Sequence, residues 1–221
     1  MTRRFLIILT AMVAVAGFGA AAYFYKPAVT EQQIVGGSTP ENPLVRDHSP
    51  ILGPPDAPVT IVEFFDPACE ACRAFHPVVK QIMNTFPGQV RVVLRYATFH
   101  KGSDEAARIL ELARLQGVFE PVLEKILEAQ PLWANHGAPD IAKAWDAARA
   151  AGLDVERARP MLQLPEISAA LSKDNSDVHL ARVTQTPTFF VNGKPLPSFG
   201  AQQLYDLVES EVLATTGVSA N

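Results

Sequence analysis

Cysteine is scarce in this chain. The 221 residues hold two, Cys69 and Cys72, both in one Cys-x-x-Cys motif, so none remains for a separate structural disulfide. Here cysteine serves chemistry rather than stapling. Runs of like charge and internal repeats are absent too. The net charge of −4 comes with no basic patch or stripe, which argues against a general nucleic-acid binder. Two thiolates alone do not complete a tetrahedral zinc site. His76, one turn beyond Cys72, offers a third donor, and two thiolates suit Cu(I), so metal handling stays open as an alternative. A hydrophobic share of 48% is ordinary for a globular protein. The length suits one domain with a tail, or two small domains.

One long uncharged run stands at the N-terminus. Met1-Thr2-Arg3-Arg4 precedes Phe5 to Tyr25, which carries no charge. Two arginines before an apolar run are the opening of a secretory signal, with Ala20-Ala21-Ala22 as the cleavage site. The run also reaches the roughly 20 residues of a membrane span, and Tyr23, Phe24, Tyr25 and Lys26 resemble an interfacial belt. Residues 1–26 therefore read as a signal peptide or a membrane anchor. Either way the arginines stay inside and the rest faces an oxidising exterior, the periplasm in a bacterium. Residues 27–50 are rich in breakers and read as a flexible spacer in which His48 is solvated.

The chain is organised around Val59 to Pro77. Val59 to Phe65, β-branched and aromatic, reads as a buried strand. From Cys72 onward the apolar spacing of Phe75, Val78, Val79 and Ile82 reads as a helix that ends near Phe86. A Cys-x-x-Cys where strand hands over to helix is the redox arrangement. The unpaired N–H groups and partial positive charge of a helix N-terminus favour thiolate, the form that attacks disulfides. Glu63 inside the apolar strand is costly without a partner or a function. Asp66 reads as a loop cap, and His76 as a surface helix residue.

Gln89 to Tyr96 reads as a second strand, completing a strand–helix–strand unit with a parallel pair. Helices follow over Ser103–Gln116, with Ser103 as N-cap, then Phe119–Ala129, Asp140–Ala151, Val155–Leu162 and Glu166–Ala181, the last polar at its centre. Trp133 and Trp145 read as core or subdomain-interface aromatics, His100 and His179 as ordinary surface histidines, and His136 as loop. Thr186 to Val191 reads as a strand running into the hairpin signal Asn192-Gly193. Lys194-Pro195-Leu196 is a weak return strand, at an edge because of Pro195. Gln202 to Leu213 closes as an amphipathic helix.

Ile51 to Cys72, together with Thr186-Pro187-Thr188-Phe189-Phe190-Val191-Asn192-Gly193, resembles the DsbA-like branch of the thioredoxin superfamily. The resemblance covers about Ile51 to Leu213. It implies an α/β thioredoxin fold with an inserted helical subdomain: a first half at 51–100, the insertion at 101–183 and a second half at 184–216. It implies protein thiol–disulfide oxidoreductase activity on exported proteins, with the Cys69–Cys72 disulfide as the redox group and no nucleotide, flavin or metal. Cys69 matches the attacking cysteine and Cys72 the buried resolving one. Thr186-Pro187 matches the dipeptide with a cis peptide bond that lies against the cysteines and meets substrate. Glu63 matches the buried acid that helps move the proton of Cys72, and Pro77 the proline within the active-site helix. The partners implied are proteins carrying thiols or disulfides and a membrane redox protein that resets the pair.

Between the cysteines the chain departs from strongly oxidising members, which often carry Pro-His; Glu70-Ala71 stands here. A carboxylate beside Cys69 disfavours its thiolate, so a less oxidising couple is expected, and Thr186 points the same way. Besides copper handling, the remaining alternative is a thioredoxin-fold holdase whose helical block binds clients.

Overall fold

The structure is a computed structural model and describes residues 43–135 and 137–217. The expected signal or anchor at 1–26, most of the spacer and His136 lie outside the described residues. Five strands form one sheet: β1 (Ile51–Leu52), β2 (Val59–Phe65), β3 (Val90–Tyr96), β4 (Thr188–Val191) and β5 (Lys194–Pro195), in the order β1-β3-β2-β4-β5. Helix α1 (Glu70–Thr85) joins β2 to β3, which pair in parallel. Between β3 and β4 come α2 (Ser103–Leu115), α3 (Phe119–Glu128), α4 (Gln130–Trp133), α5 (Ile141–Ala150), α6 (Val155–Ala158), a 3₁₀ turn at Arg159–Met161 and α7 (Pro165–Leu180). Helix α8 (Ala201–Thr216) closes the chain. This is a mixed α/β, thioredoxin-like fold. Among the described residues no helix is long and apolar enough to cross a membrane.

The period-2 alternation of a strand decides which side chains face which helices. Val59, Ile61 and Phe65 enter one large apolar cluster with Val79 and Ile82 of α1 and Leu204 and Val208 of α8. That cluster continues into the inserted helices through Ile109, Leu123, Trp133 and Trp145, so sheet and insertion share one core. Val62, Phe64 and Val93 point the other way, onto Val178 of α7. Glu63, opposite Leu94 on one side and Phe189 on the other, shares the Ile61 face.

Four local expectations are corrected. Residues 43–50 are no spacer: Leu44, Arg46 and Ser49 are buried. Arg46 grips Asp177 through Nε (2.7 Å) and Nη2 (2.8 Å), and His48 is bonded to Asp174 at 2.7 Å rather than solvated. Ile51–Leu52, unassigned from sequence, pairs antiparallel with Val92–Val93. Gln130–Trp133, unassigned from sequence, forms a short helix behind Ala129. The N-cap of α2 is Gly102, at φ 84°, not Ser103. Glycine tolerates that left-handed backbone, and a Cβ there would lie 3.0 Å from Pro139. Ser103 becomes the first helical residue, and its hydroxyl is spent on Asp66.

The polar centre of α7 has the same origin. Its Asp174 and Asp177 are buried and neutralise Arg95 and Arg46. Both arginines reach α7 from elements distant in the chain, so helical periodicity gave no reason for carboxylates there.

Candidate active site

Cys69 is the N-cap residue of α1 and has extended backbone angles (φ −80°, ψ 121°). Its sulfur therefore sits where the first N–H groups of the helix are unpaired. Both cysteines are free thiols and both are buried, and the Cys69 pKa falls from the ordinary 9.0 to about 5. The largest cause is a hydrogen bond from the Cys72 thiol. Burial opposes it, and the Thr186 hydroxyl and the backbone N–H groups of Cys72 and Ala71 add to it. The Thr186 hydroxyl is buried and unpartnered while Cys69 is a thiol, so it is available to the thiolate. As a thiol, Cys69 lies 3.2 Å from the Thr186 carbonyl, a contact that ionisation gives up. Glu70 is exposed and is not among these leading influences.

Cys72 behaves oppositely. It is fully buried, and burial drives its pKa far above the ordinary thiol value, helped by the bond it makes to Cys69 and by the charge of Glu63. The Asp66 N–H, 3.4 Å from its sulfur, offsets little of this. One thiolate over one thiol is the arrangement required for an attacking and a resolving sulfur.

Glu63 is 3% exposed with Oε1 unpartnered. Burial first, and the charge of Cys69 second, push its pKa from 4.5 to about 8. A protonated Glu63 is the state that coexists with a Cys69 thiolate at neutral pH.

The Thr186–Pro187 peptide bond is cis. Beside it opens a cleft of about 130 Å³ lined by Gln185, Pro187, Thr188, Phe189, Pro195, Leu196 and Phe199. Phe75 of α1 stacks on Phe199 (4.5 Å between centroids) and on Phe189 (5.5 Å). Cys69, Cys72, Glu63, Thr186 and Pro187, named from sequence, thus converge in space, while Ala71 is part of the α1 N-terminus and Glu70 lies outside.

Four residues prove more involved than the sequence indicates. Asp66 is buried and accepts Ala68 N–H (2.8 Å), Phe99 N–H (2.8 Å), His100 N–H (3.1 Å), the His100 ring (2.7 Å) and the Ser103 hydroxyl. His100 is therefore no ordinary surface histidine. Gln130 donates to the carbonyls of Pro67 (2.8 Å) and Cys69 (2.9 Å) and receives Arg73 Nε (3.0 Å); no sequence signal marks it, because it is 61 residues from Cys69. His76 is half-buried with Nε2 lacking a partner, and burial, then Lys80, lowers its pKa. Among the described residues no three His, Cys, Asp or Glu side chains group as metal ligands.

Known proteins resemble both this fold and this sequence. A family model described as thioredoxin matches residues 46–209. The chain is 29% identical over 175 residues to disulfide bond formation protein D of Bacillus subtilis, covering 74% of this chain and 77% of that protein. It is 32% identical over 152 residues to Na(+)/H(+) antiporter NhaA 1 of Salinispora arenicola, which is 67% of this chain but only 22% of the antiporter's length. The crystal structure of a thioredoxin-like oxidoreductase from Silicibacter pomeroyi superposes with a TM-score of 0.65 at 28% identity, over 79% of this chain and 95% of that one. With the parallel β2–β3 pair around a Cys-x-x-Cys helix, the cis proline facing it and helices inserted between β3 and β4, the chain belongs to the thioredoxin family, in its DsbA-like branch.

Proposed function

We propose that the protein is an exported thiol–disulfide oxidoreductase that exchanges two electrons with cysteines of extracytoplasmic proteins through Cys69 and Cys72. The observation that carries this reading is the pair of opposed thiols at the α1 N-terminus, one held near pKa 5 and one held protonated. In the oxidising direction a substrate thiolate attacks Sγ of the Cys69–Cys72 disulfide. The electron pair of the broken bond goes to Cys72 Sγ, which takes a proton, and Glu63, the buried acid whose charge acts on Cys72, supplies it. A second substrate thiolate then attacks the substrate sulfur of the mixed disulfide and expels Cys69 as thiolate. The substrate gains a disulfide, and the protein is left with a Cys69 thiolate and a Cys72 thiol. Run backwards, the same steps reduce a disulfide. The backbone beside Pro187 is the site for an extended substrate chain, paired by strand addition, with the Phe199 cleft receiving a side chain. The only redox group required is the cysteine pair, and a membrane redox protein resets it. Residues 1–26 supply export, either as a cleaved signal or as a retained anchor.

A thiolate near 5 lies between the attacking cysteines of DsbA, about 3.5, and thioredoxin, about 7. The couple is accordingly expected between about −120 and −270 mV, less oxidising than the strong oxidases. Because the Cys69 pKa is depressed, this stabilisation of the reduced form is present above the ordinary value of 9.0 and is lost as pH falls through about 5.

Equilibration of the full chain with glutathione buffers tests the proposal. A reversible two-electron couple in that window, lost in Cys69→Ser along with more than about 10³-fold of insulin-reducing or dithiol-oxidising rate, is the expected result. No reversible couple, with stoichiometric Cu(I) binding instead, would return the cysteines to metal handling.

A further inference from the structure

We propose that His100, oriented by Asp66, is a positioning residue that supplies beside Cys69 the positive charge absent from the Glu70–Ala71 spacer. The proposal rests on Cys69 being the exchanging sulfur, and the geometry for it comes from one carboxylate shared by two loops.

Asp66 follows β2 directly. Its carbonyl accepts the N–H of Cys69 at 3.1 Å and its own N–H points at the Cys72 sulfur at 3.4 Å, so its backbone is already part of the cysteine loop. Its side chain serves the other loop. Oδ2 takes the N–H groups of Phe99 and His100 and meets His100 Nδ1 at 2.7 Å; Oδ1 takes Ala68 N–H and the Ser103 hydroxyl. A carboxylate at Nδ1 requires that nitrogen to carry a proton, which fixes the ring's orientation and favours the imidazolium. The ring is one-third exposed and lines a cleft of about 230 Å³ with Ala68, the residue before Cys69, and with Phe99, Lys101, Ala134 and Asn135. His100 thus stands at the rim of the cysteine loop, held from behind.

The charged groups facing it are mostly anionic. Asp66 lies on the β2–α1 loop and Cys69 and Glu70 at the α1 N-terminus; Lys101 is the neighbouring cation on its own loop. Burial lowers the His100 pKa, but the hydrogen bond and charge of Asp66, with Cys69 and Glu70, outweigh it, and the net direction is upward. Such coupling is reciprocal: a thiolate that holds a proton on His100 is itself held ionised by it. Glu70 acts on the same ring, while the hydrogen bond from Cys72 remains the largest cause of the depressed Cys69 pKa. Formation of the Cys69–Cys72 disulfide removes one of the anions and loosens the proton on His100, so oxidation and proton release are linked at this ring.

The test is the pH profile of Cys69 alkylation by iodoacetamide in the reduced full chain, where buried, protonated Cys72 is unreactive. His100→Gln should alkylate about two- to threefold more slowly than wild type near pH 4.5 and equally fast at pH 8, where Cys69 is ionised in both proteins. Glu70→Gln should shift the profile the other way. The same coupling is read from its other end without altering His100: its imidazole titration, followed by NMR, should move to lower pH in Cys69→Ser. Superimposable alkylation profiles for wild type and His100→Gln, or an unmoved imidazole titration in Cys69→Ser, would overturn the proposal. Either result concerns the charge beside Cys69 alone. A missing reversible couple in glutathione buffers would instead overturn the exchange reading itself.

Discussion

Behind the sheet, Arg95 and Arg46 meet Asp174 and Asp177, and each of the four carboxylate oxygens is used: Asp174 by His48, Arg95 and the Tyr96 N–H, Asp177 by both arginines. In front of it, Glu63 lies almost as deep with Oε1 unpartnered, and Cys72 is buried as a thiol. The same strands carry both sites, since Arg95 sits one residue beyond Leu94, the β3 neighbour of Glu63. Buried polar groups are normally satisfied. The first set, with every carboxylate oxygen engaged, ties residues 43–50 and α7 to the sheet, and the second holds the carboxyl and thiol that the proposed exchange uses. The difference teaches which buried charges to assign to structure and which to chemistry.

Three substitutions probe that comparison. Arg95→Ala breaks the satisfied side and has the largest expected effect, because two buried carboxylates lose their shared cation. A loss of about 3–5 kcal/mol, read as a lower urea midpoint, should leave the pH profile of Cys69 alkylation unchanged; a stability loss under 1 kcal/mol would show the network to be ornamental.

On the unsatisfied side, Glu63→Gln should raise stability. The Glu63 pKa is raised in the fold, so its contribution is fully present below about 4.5 and lost as pH rises through about 8. The variant should match wild type near pH 4 and exceed it at pH 9 by several kcal/mol, at most about 5 kcal/mol, seen as a higher Tm, while disulfide exchange slows. Equal Tm differences at both pH values would mean that the Glu63 pKa is not raised in the fold.

Glu70→His is the smallest perturbation. It exchanges an anion for a cation next to Cys69 and should make the couple more oxidising by about 30 mV for each pKa unit the thiolate gains. An unchanged or lower potential would show that Glu70 is already neutralised, with His100 as the group that does so.

Much of this molecule was legible from local pattern. The β-branched run at Val59–Phe65 became β2 over the same residues, Pro187 through Gly193 gave the strand and tight turn, and the apolar spacing after Cys72 gave α1. Each is a short-range preference that neighbours in sequence reveal. The roles of Asp66, Gln130 and His100, and the clasp at residues 43–50, were not legible. A loop aspartate reads as a cap, and breaker-rich text reads as a spacer, unless the distant partner is known. Ser103 shows the same competition in one residue: a good N-cap by type, it loses that place because Gly102 takes the left-handed turn and Asp66 claims its hydroxyl.

The sequence by itself determined that two cysteines would share one helix start after a buried strand, and that placement depends only on periodicity and on the helix's own backbone. Tertiary structure decided which sulfur ionises, because burial, the Thr186 hydroxyl 117 residues away in the chain and the orphaned carboxyl of Glu63 act only once the sheet has closed. It also decided which charges stay inert, since Arg46 meets Asp177 across 131 residues. Contacts of that span leave no periodic trace along the chain; they exist only where packing brings the partners together and excludes water from between them.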